Sequence, residues 1–247
     1  MQKNLLDILI EKRNNKQPFS FIRYGDAESM VLNFDTDRDY AYFVVKKQLG
    51  YLPSDDQIIS IRKDLIGSFC VADLIGIADP WYETEANDNK FWKNQKQQLK
   101  DLAGVEPDRE FCSMNAHIFM MDDPEFYKFI KSFDRIVFIT GRNFDHINLP
   151  GLEVINIPAE KKYSDDKARH YPERYNEVHD WIEKQDLTGA LVLVGGGFTG
   201  KSYITHAAQK RAIAVDIGSV FDSWAGFVTR GKNRGSKDDK HLLEKYL

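Results

Sequence analysis

The sequence predicts an α/β fold with a mostly parallel sheet and helices on both faces. Three observations predict it. Short apolar runs rich in β-branched and aromatic residues recur along the chain, each bounded by Gly, Pro or polar residues. Helix-like segments lie between them. Strand, loop and helix then alternate most regularly in the second half, the order that a parallel sheet with crossover helices requires.

In chain order, Leu5, Leu6, Ile8, Leu9 and Ile10, interrupted by Asp7, suit a short helix packed on a core. Strands are expected over 19–22, 66–71, 135–140, 154–157, 190–194 and 212–216, and helices over 54–63, 88–102, 124–131, 173–185 and 201–211. The polar, aromatic stretch 79–90 (DPWYETEANDNK) reads as a mobile flap. The Lys-, Arg- and Gly-rich stretch from 229 reads as a flexible tail to 247, either solvated or ordered over a ligand. The repeated strand–loop–helix units are Rossmann-like, and such sheets bind ligands at the carboxyl ends of their strands.

With 247 residues and 42% apolar content, one domain can bury a core without disulfides or structural metal. A net charge of −4 and a pI near 5.9 argue against a protein that binds nucleic acid through a positive surface. The two cysteines, Cys70 and Cys112, lie in apolar runs and are expected as reduced core thiols; two are too few for a disulfide scaffold or a cysteine zinc site. The N-terminus does not resemble a signal peptide, and no stretch is long and apolar enough to cross a bilayer, so the expected location is cytoplasmic.

Four segments can carry chemistry. In FSFIRYGDAE (19–28), Arg23 ends a strand and can meet a phosphate bidentately, and Gly25 permits a turn. Asp26 and Glu28 then either hold a divalent cation or begin a helix that Asp26 caps. In LVLVGGGFTGKSYITHAAQKR (191–211), Gly195, Gly196 and Gly197 precede Thr199, Lys201 and a helix. Backbone N–H groups and a helix N-terminus there describe a phosphate site, unless the glycines serve only a tight turn. In AIAVDIGSVFDSWAG (212–226), Asp216 and Asp222 lie near the ligand edge, and Trp224 either stacks on a base or sugar or belongs to the core. In IPAEKKYSDDKARHYPERYNEV (157–178), Lys161 and Lys162 can bind phosphate and Asp165 or Asp166 can act as a base, or the run is a solvated loop. The six histidines form no HExxH pair and there is no GxSxG elbow; His117 reads as a satisfied, partly buried residue.

The stretch FIRYGDAE resembles the R-[FY]-G-D-x-E opening of the GT-D-type glycosyltransferases, a bacterial family first catalogued as a domain of unknown function. The glycine loop followed by VDIGSVFDSWAG resembles the family's last strand and Asp-Ile-Gly turn, so the likeness runs from about residue 18 to 226. One departure is the loop itself, Gly-Gly-Gly-Phe-Thr-Gly-Lys where the family often has Gly-Pro-Thr. The resemblance implies a nucleotide-sugar donor, usually a UDP-sugar, and Mn²⁺ or Mg²⁺ held by Asp26 and Glu28 at the diphosphate. It also implies a glycan or glycoprotein acceptor in surface glycan synthesis, with partner glycosyltransferases beside it. Asp26, Glu28 and Asp222 are then the expected catalytic residues. Arg23, Gly25, Gly195, Gly196, Gly197, Thr199, Lys201 and Asp216 are expected around the donor. A second reading is a P-loop phosphotransferase or NTPase, because Gly195, four residues, Gly200, Lys201 and Ser202 fit that formula. A third is a catalytically silent sugar- or nucleotide-binding module.

Overall fold

The computed structural model describes residues 4–79, 94–106, 109–159, 169–227 and 242–247. Seven strands run parallel in one sheet: β1 (Phe19–Arg23), β2 (Leu74–Ile77), β3 (Phe111–Ser113), β4 (Ile136–Thr140), β5 (Leu152–Asn156), β6 (Leu191–Gly195) and β7 (Ile213–Asp216). Their spatial order is β3-β2-β1-β7-β6-β4-β5. From β1 the chain steps outward through β2 to β3. It then crosses to the other half, lays down β4 and β5, and returns inward through β6 to β7. The direction of winding therefore reverses between β1 and β7 and again between β4 and β6. In open parallel sheets such reversals leave crevices at the carboxyl ends of the strands.

Among the described residues ten α-helices cover the sheet: α1 (Leu5–Asn14), α2 (Asp26–Leu32), α3 (Arg38–Leu49), α4 (Asp55–Val71), α5 (Gln95–Ala103), α6 (Ala116–Met121), α7 (Pro124–Lys131), α8 (Tyr175–Lys184), α9 (Gly200–Gln209) and α10 (Val220–Trp224). Side-chain alternation along the strands divides the core in two. Val137 and Ile139 of β4 and Val192 and Val194 of β6 face the layer of α2, α3, α4, α5, α8 and α9. Ile136, Phe138, Leu191 and Leu193 face the layer of α1, α6, α7 and α10. A strand buried on both faces reads as a continuous apolar run, which is why β4, β6 and β7 are legible in the sequence.

The expected α/β class is the observed one. The strand expected over 66–71 is instead the end of α4, whose buried Ile58, Ile61, Leu65 and Phe69 recur at helical spacing behind the Ser54–Gln57 cap. The true strand begins three residues later, and Asp73 ties it to β1 by accepting from both the amide and the hydroxyl of Ser20. The helix expected from 88 is described from Gln95. Neither cysteine is a core thiol: Cys70 is exposed on α4 and Cys112 is half-buried in the edge strand β3. Trp224 is core, stacked on Phe126 and donating to the Tyr127 hydroxyl. Residues 242–247, expected as part of a flexible tail, are packed: Leu243 is buried and Tyr246 stacks on Tyr127. The rest of that tail, 229–241, and the flap beyond Asp79 lie outside the described residues. Among the described residues no helix is long and apolar enough to cross a membrane.

Candidate functional site

The site grows from the carboxyl ends of β1, β6 and β7. Arg23 closes β1, and Gly25 starts α2. The Gly25 amide donates to Glu28 Oε2 at 2.9 Å, so a glutamate in the helix's first turn reaches back to cap it. The capping carboxylate is thus Glu28, and Asp26 is the first helical residue. Asp26 is exposed at the cleft, and its Oδ1 accepts the adjacent Ala27 amide at 3.0 Å.

Asp216 ends β7 and is 3% exposed. Its Oδ1 accepts from Arg23 Nη2 at 2.8 Å, and its Oδ2 accepts from Lys201 Nζ at 2.6 Å. Lys201, in the first turn of α9, is also 3% exposed. Its ammonium lies 2.9 Å from Glu28 Oε1 and donates to the Gly197 carbonyl at 3.3 Å. The four side chains form an alternating line, Glu28–Lys201–Asp216–Arg23, in which two carboxylates cancel two cations. Arg23 Nη1 extends the line to His117 Nε2, 2.8 Å away. Burial alone would push the Asp216 carboxyl up, but Arg23 and Lys201 outweigh it and hold it well below the usual carboxylate range.

The loop 195–199 lies over this line. Gly197 has φ +57°, and a Cβ there would sit 2.6 Å from Gln48 Oε1, so the loop needs glycine to pass α3. Thr199 points inward: its hydroxyl donates to the Gly196 carbonyl at 2.8 Å and lies against His170. His170 is buried, and burial, aided by Arg174, pulls its pKa down to about 4. On the far wall, Arg142 follows β4. Its Nε donates to Asp222 Oδ1 at 2.8 Å, and its guanidinium lies 4.3 Å from the Phe227 ring centre. Arg23, Asp26, the three loop glycines, Arg142 and Asp222 line one cleft.

Most of the residues expected from the sequence therefore come together, but in different roles. Lys201, buried at the floor of the cleft, is ion-paired with Asp216, and Thr199 braces the loop. Arg142 and His117 were not among the expected functional residues. Arg142 follows a strand end directly, which is a signal for the first; nothing local marks the second, whose partner lies on β1. Lys161, Lys162, Asp165 and Asp166 lie outside the described residues.

The residues do not fit the divalent cation expected between Asp26 and Glu28. Both Glu28 oxygens already have donors, one of them an ammonium. Both residues are in α2 rather than in a loop, and at 3.6 residues per turn two positions apart point roughly 200° away from each other. Among the described residues no group of three or more His, Cys, Asp or Glu side chains is arranged to hold a metal ion. The P-loop reading meets a similar objection. Its lysine reaches the β- and γ-phosphates, whereas Lys201 is turned under the loop onto two buried carboxylates.

No sequence-family model matches the chain, and no curated protein does. Three solved structures are similar to it. All three are of domain of unknown function 1792; two of them, one described as having a distinct glycosyltransferase fold, are each 14% identical, with 96% of this chain and 86% of that chain covered at a TM-score of 0.52. The third, described as a new glycosyltransferase from Streptococcus sanguinis, is 15% identical, with 98% and 90% covered at 0.50. At such identities the likeness is one of architecture: this chain has the α/β fold described for domain of unknown function 1792 as a distinct glycosyltransferase fold.

Proposed function

We propose that the protein is a glycosyltransferase that moves a sugar from a nucleotide-sugar donor, a UDP-sugar, to a glycan or glycoprotein acceptor in surface glycan synthesis. One observation carries the reading. Two arginines, the glycine loop and the N-terminus of α9 converge where the winding of the sheet reverses, in a fold shared with proteins described as glycosyltransferases. That crevice is where a sheet of this kind binds a nucleotide, and its groups are those a diphosphate needs.

The chemistry follows from the placement. The acceptor oxygen attacks the anomeric carbon, the bond from that carbon to the diphosphate oxygen breaks, and the nucleoside diphosphate leaves with the bonding pair. Arg23, Arg142 and the N–H dipoles of the loop meet the charge that develops on the leaving group. Asp26, exposed at the cleft, is the carboxylate assigned to take the hydroxyl proton. Asp222 fixes Arg142. Glu28 is assigned to the cap and ion pair rather than to the reacting atoms.

The test is a thermal-shift panel of UDP-, GDP- and CMP-sugars and ATP, followed by nucleotide release. A donor at about 100 times its Kd stabilises the fold by about 2.7 kcal/mol. The expected result is a shift with a UDP-sugar and slow UDP release that an acceptor accelerates. A shift with ATP alone, and none with any nucleotide sugar, would sink the reading.

A further inference from the structure

We infer that Lys201 is the resident cation of this site, and that Glu28, although it stands in a D-x-E motif, is a positioning residue for that lysine and not a metal ligand.

The inference starts from an inventory of oxygens. Glu28 and Asp216 present four carboxylate oxygens at the carboxyl edge of the sheet, and each has a donor. Glu28 Oε2 has the Gly25 amide, Glu28 Oε1 and Asp216 Oδ2 share the Lys201 ammonium, and Asp216 Oδ1 has Arg23. The lysine is as fully used. An ammonium has three donors, and Lys201 meets three acceptors: the two carboxylates and the Gly197 carbonyl. The set is closed on both sides.

A divalent ion bound by Glu28 would have to share an oxygen with this ammonium or with the Gly25 amide, and at either oxygen its charge and that of the ammonium, held on one carboxylate, would repel. Lys201 has nowhere to withdraw. It is rooted in the first turn of α9, its side chain is 3% exposed, and loop 195–199 lies over it. The exposure of the two acids agrees: both line the cleft, but Asp26 is exposed whereas Glu28 is buried against the lysine. The glycine–lysine sequence that fits a P-loop formula and the acidic pair that fits a metal motif thus neutralise one another inside the protein.

The inference deepens the proposed function, whose donor diphosphate is to be met by fixed cations above this cluster. Its test does not need the donor. Mn²⁺ alone is titrated into the full-length protein by electron paramagnetic resonance, and the titration is repeated in the presence of UDP. Glu28→Gln is expected to leave Mn²⁺ affinity within about threefold of wild type in both series. Lys201→Met is expected to open the Glu28–Asp216 pair and create a Mn²⁺ site at least about tenfold tighter than any in the wild type, lost again in Glu28→Gln/Lys201→Met. A fall of about tenfold or more in Glu28→Gln overturns the inference. If Lys201→Met does not fold, Glu28→Gln still decides. An absence of any UDP binding would instead strike the proposed donor and leave the titration with metal alone to judge the lysine.

Discussion

Replacing Lys201 by methionine keeps the aliphatic stem and removes the charge. Two carboxylates then lose their shared partner in a place that is almost dry: the side chains of Glu28 and Asp216 are 7% and 4% exposed. Removing one member of a buried pair costs about 3–5 kcal/mol, because the remaining charge is stranded. Two offsets keep the value inside that range here, although two acids are affected. Asp216 keeps Arg23 at 2.8 Å, and Glu28 keeps the Gly25 amide at 2.9 Å. Against a domain stability of about 5–15 kcal/mol, Lys201→Met should fold but melt early in urea. The assay is urea unfolding followed by circular dichroism on wild type, Lys201→Met, Glu28→Gln and the double variant. Glu28→Gln removes the charge that the lysine would leave behind, so the double variant should recover part of the loss, with a coupling of about 1–3 kcal/mol. A cost below about 1 kcal/mol for Lys201→Met, with no coupling, would mean that the buried line of ions does not exist.

Further outcomes test other parts of the same geometry. Gly218 has φ +45°, and a Cβ there would meet Arg23 Nη2 at 2.1 Å, so Gly218→Ala should cost about 1–3 kcal/mol and weaken UDP binding; unchanged UDP affinity by calorimetry would remove Arg23 from the donor site. Asp26→Asn should lower the transfer rate by about 100-fold or more while urea stability stays within about 0.5 kcal/mol of wild type, and full activity would exclude it as the base. His170 titrates near 6.5 when unfolded, while burial and Arg174 hold it at about 4 in the fold. Between those values the unfolded chain binds the extra proton, so stability should fall as pH drops from 6.5, by up to about 1.4 kcal/mol per pH unit; a urea midpoint in His170→Gln with the wild-type slope would refute it. Burial pushes the Cys112 thiol up to about 12, whereas Cys70 is exposed, so iodoacetamide at pH 8 should label Cys70 first by mass spectrometry, and equal rates would contradict the packing of β3.

The fold was legible where burial is two-sided. In β4, β6 and β7 every position before the last points into one of the two apolar layers, so the strands stand out as unbroken runs. It was least legible at the β3 edge and in α4. β3 has only three residues, one of them buried, and such a segment has no periodicity to read. The run 66–71 looks like a strand in isolation, yet it completes the helical spacing begun at Ile58. What separates the two readings is the length of the window. The same limit hid α3, which buries only Ala41, Val44 and Val45 and is otherwise charged or aromatic up to its final Gln48 and Leu49.

At the site, the positions of the functional segments were legible and the roles were not. All four expected segments reach the same crevice, Pro158, Ala159 and His170 of the charged run included, because each follows a strand of one parallel sheet; residues 160–168 of that run lie outside the described residues. The role of a carboxylate depends on what faces it, and the ionic partner of Glu28, Lys201, comes from far along the chain. If the chain at Asp26 were still a loop, both acids of the D-x-E spacing could turn to one cation. The helix begins at Asp26 instead, and its turn separates them, leaving Asp26 exposed and Glu28 buried against Lys201. The decisive feature is therefore the onset of α2, which Gly25 and Glu28 set together through their own hydrogen bond. An acid that caps its own helix has already spent one oxygen, and a lysine delivered by the neighbouring strand-to-helix turn takes the other. Metal affinity at such a motif should accordingly follow the residue at position 201 more closely than the acidic pair itself.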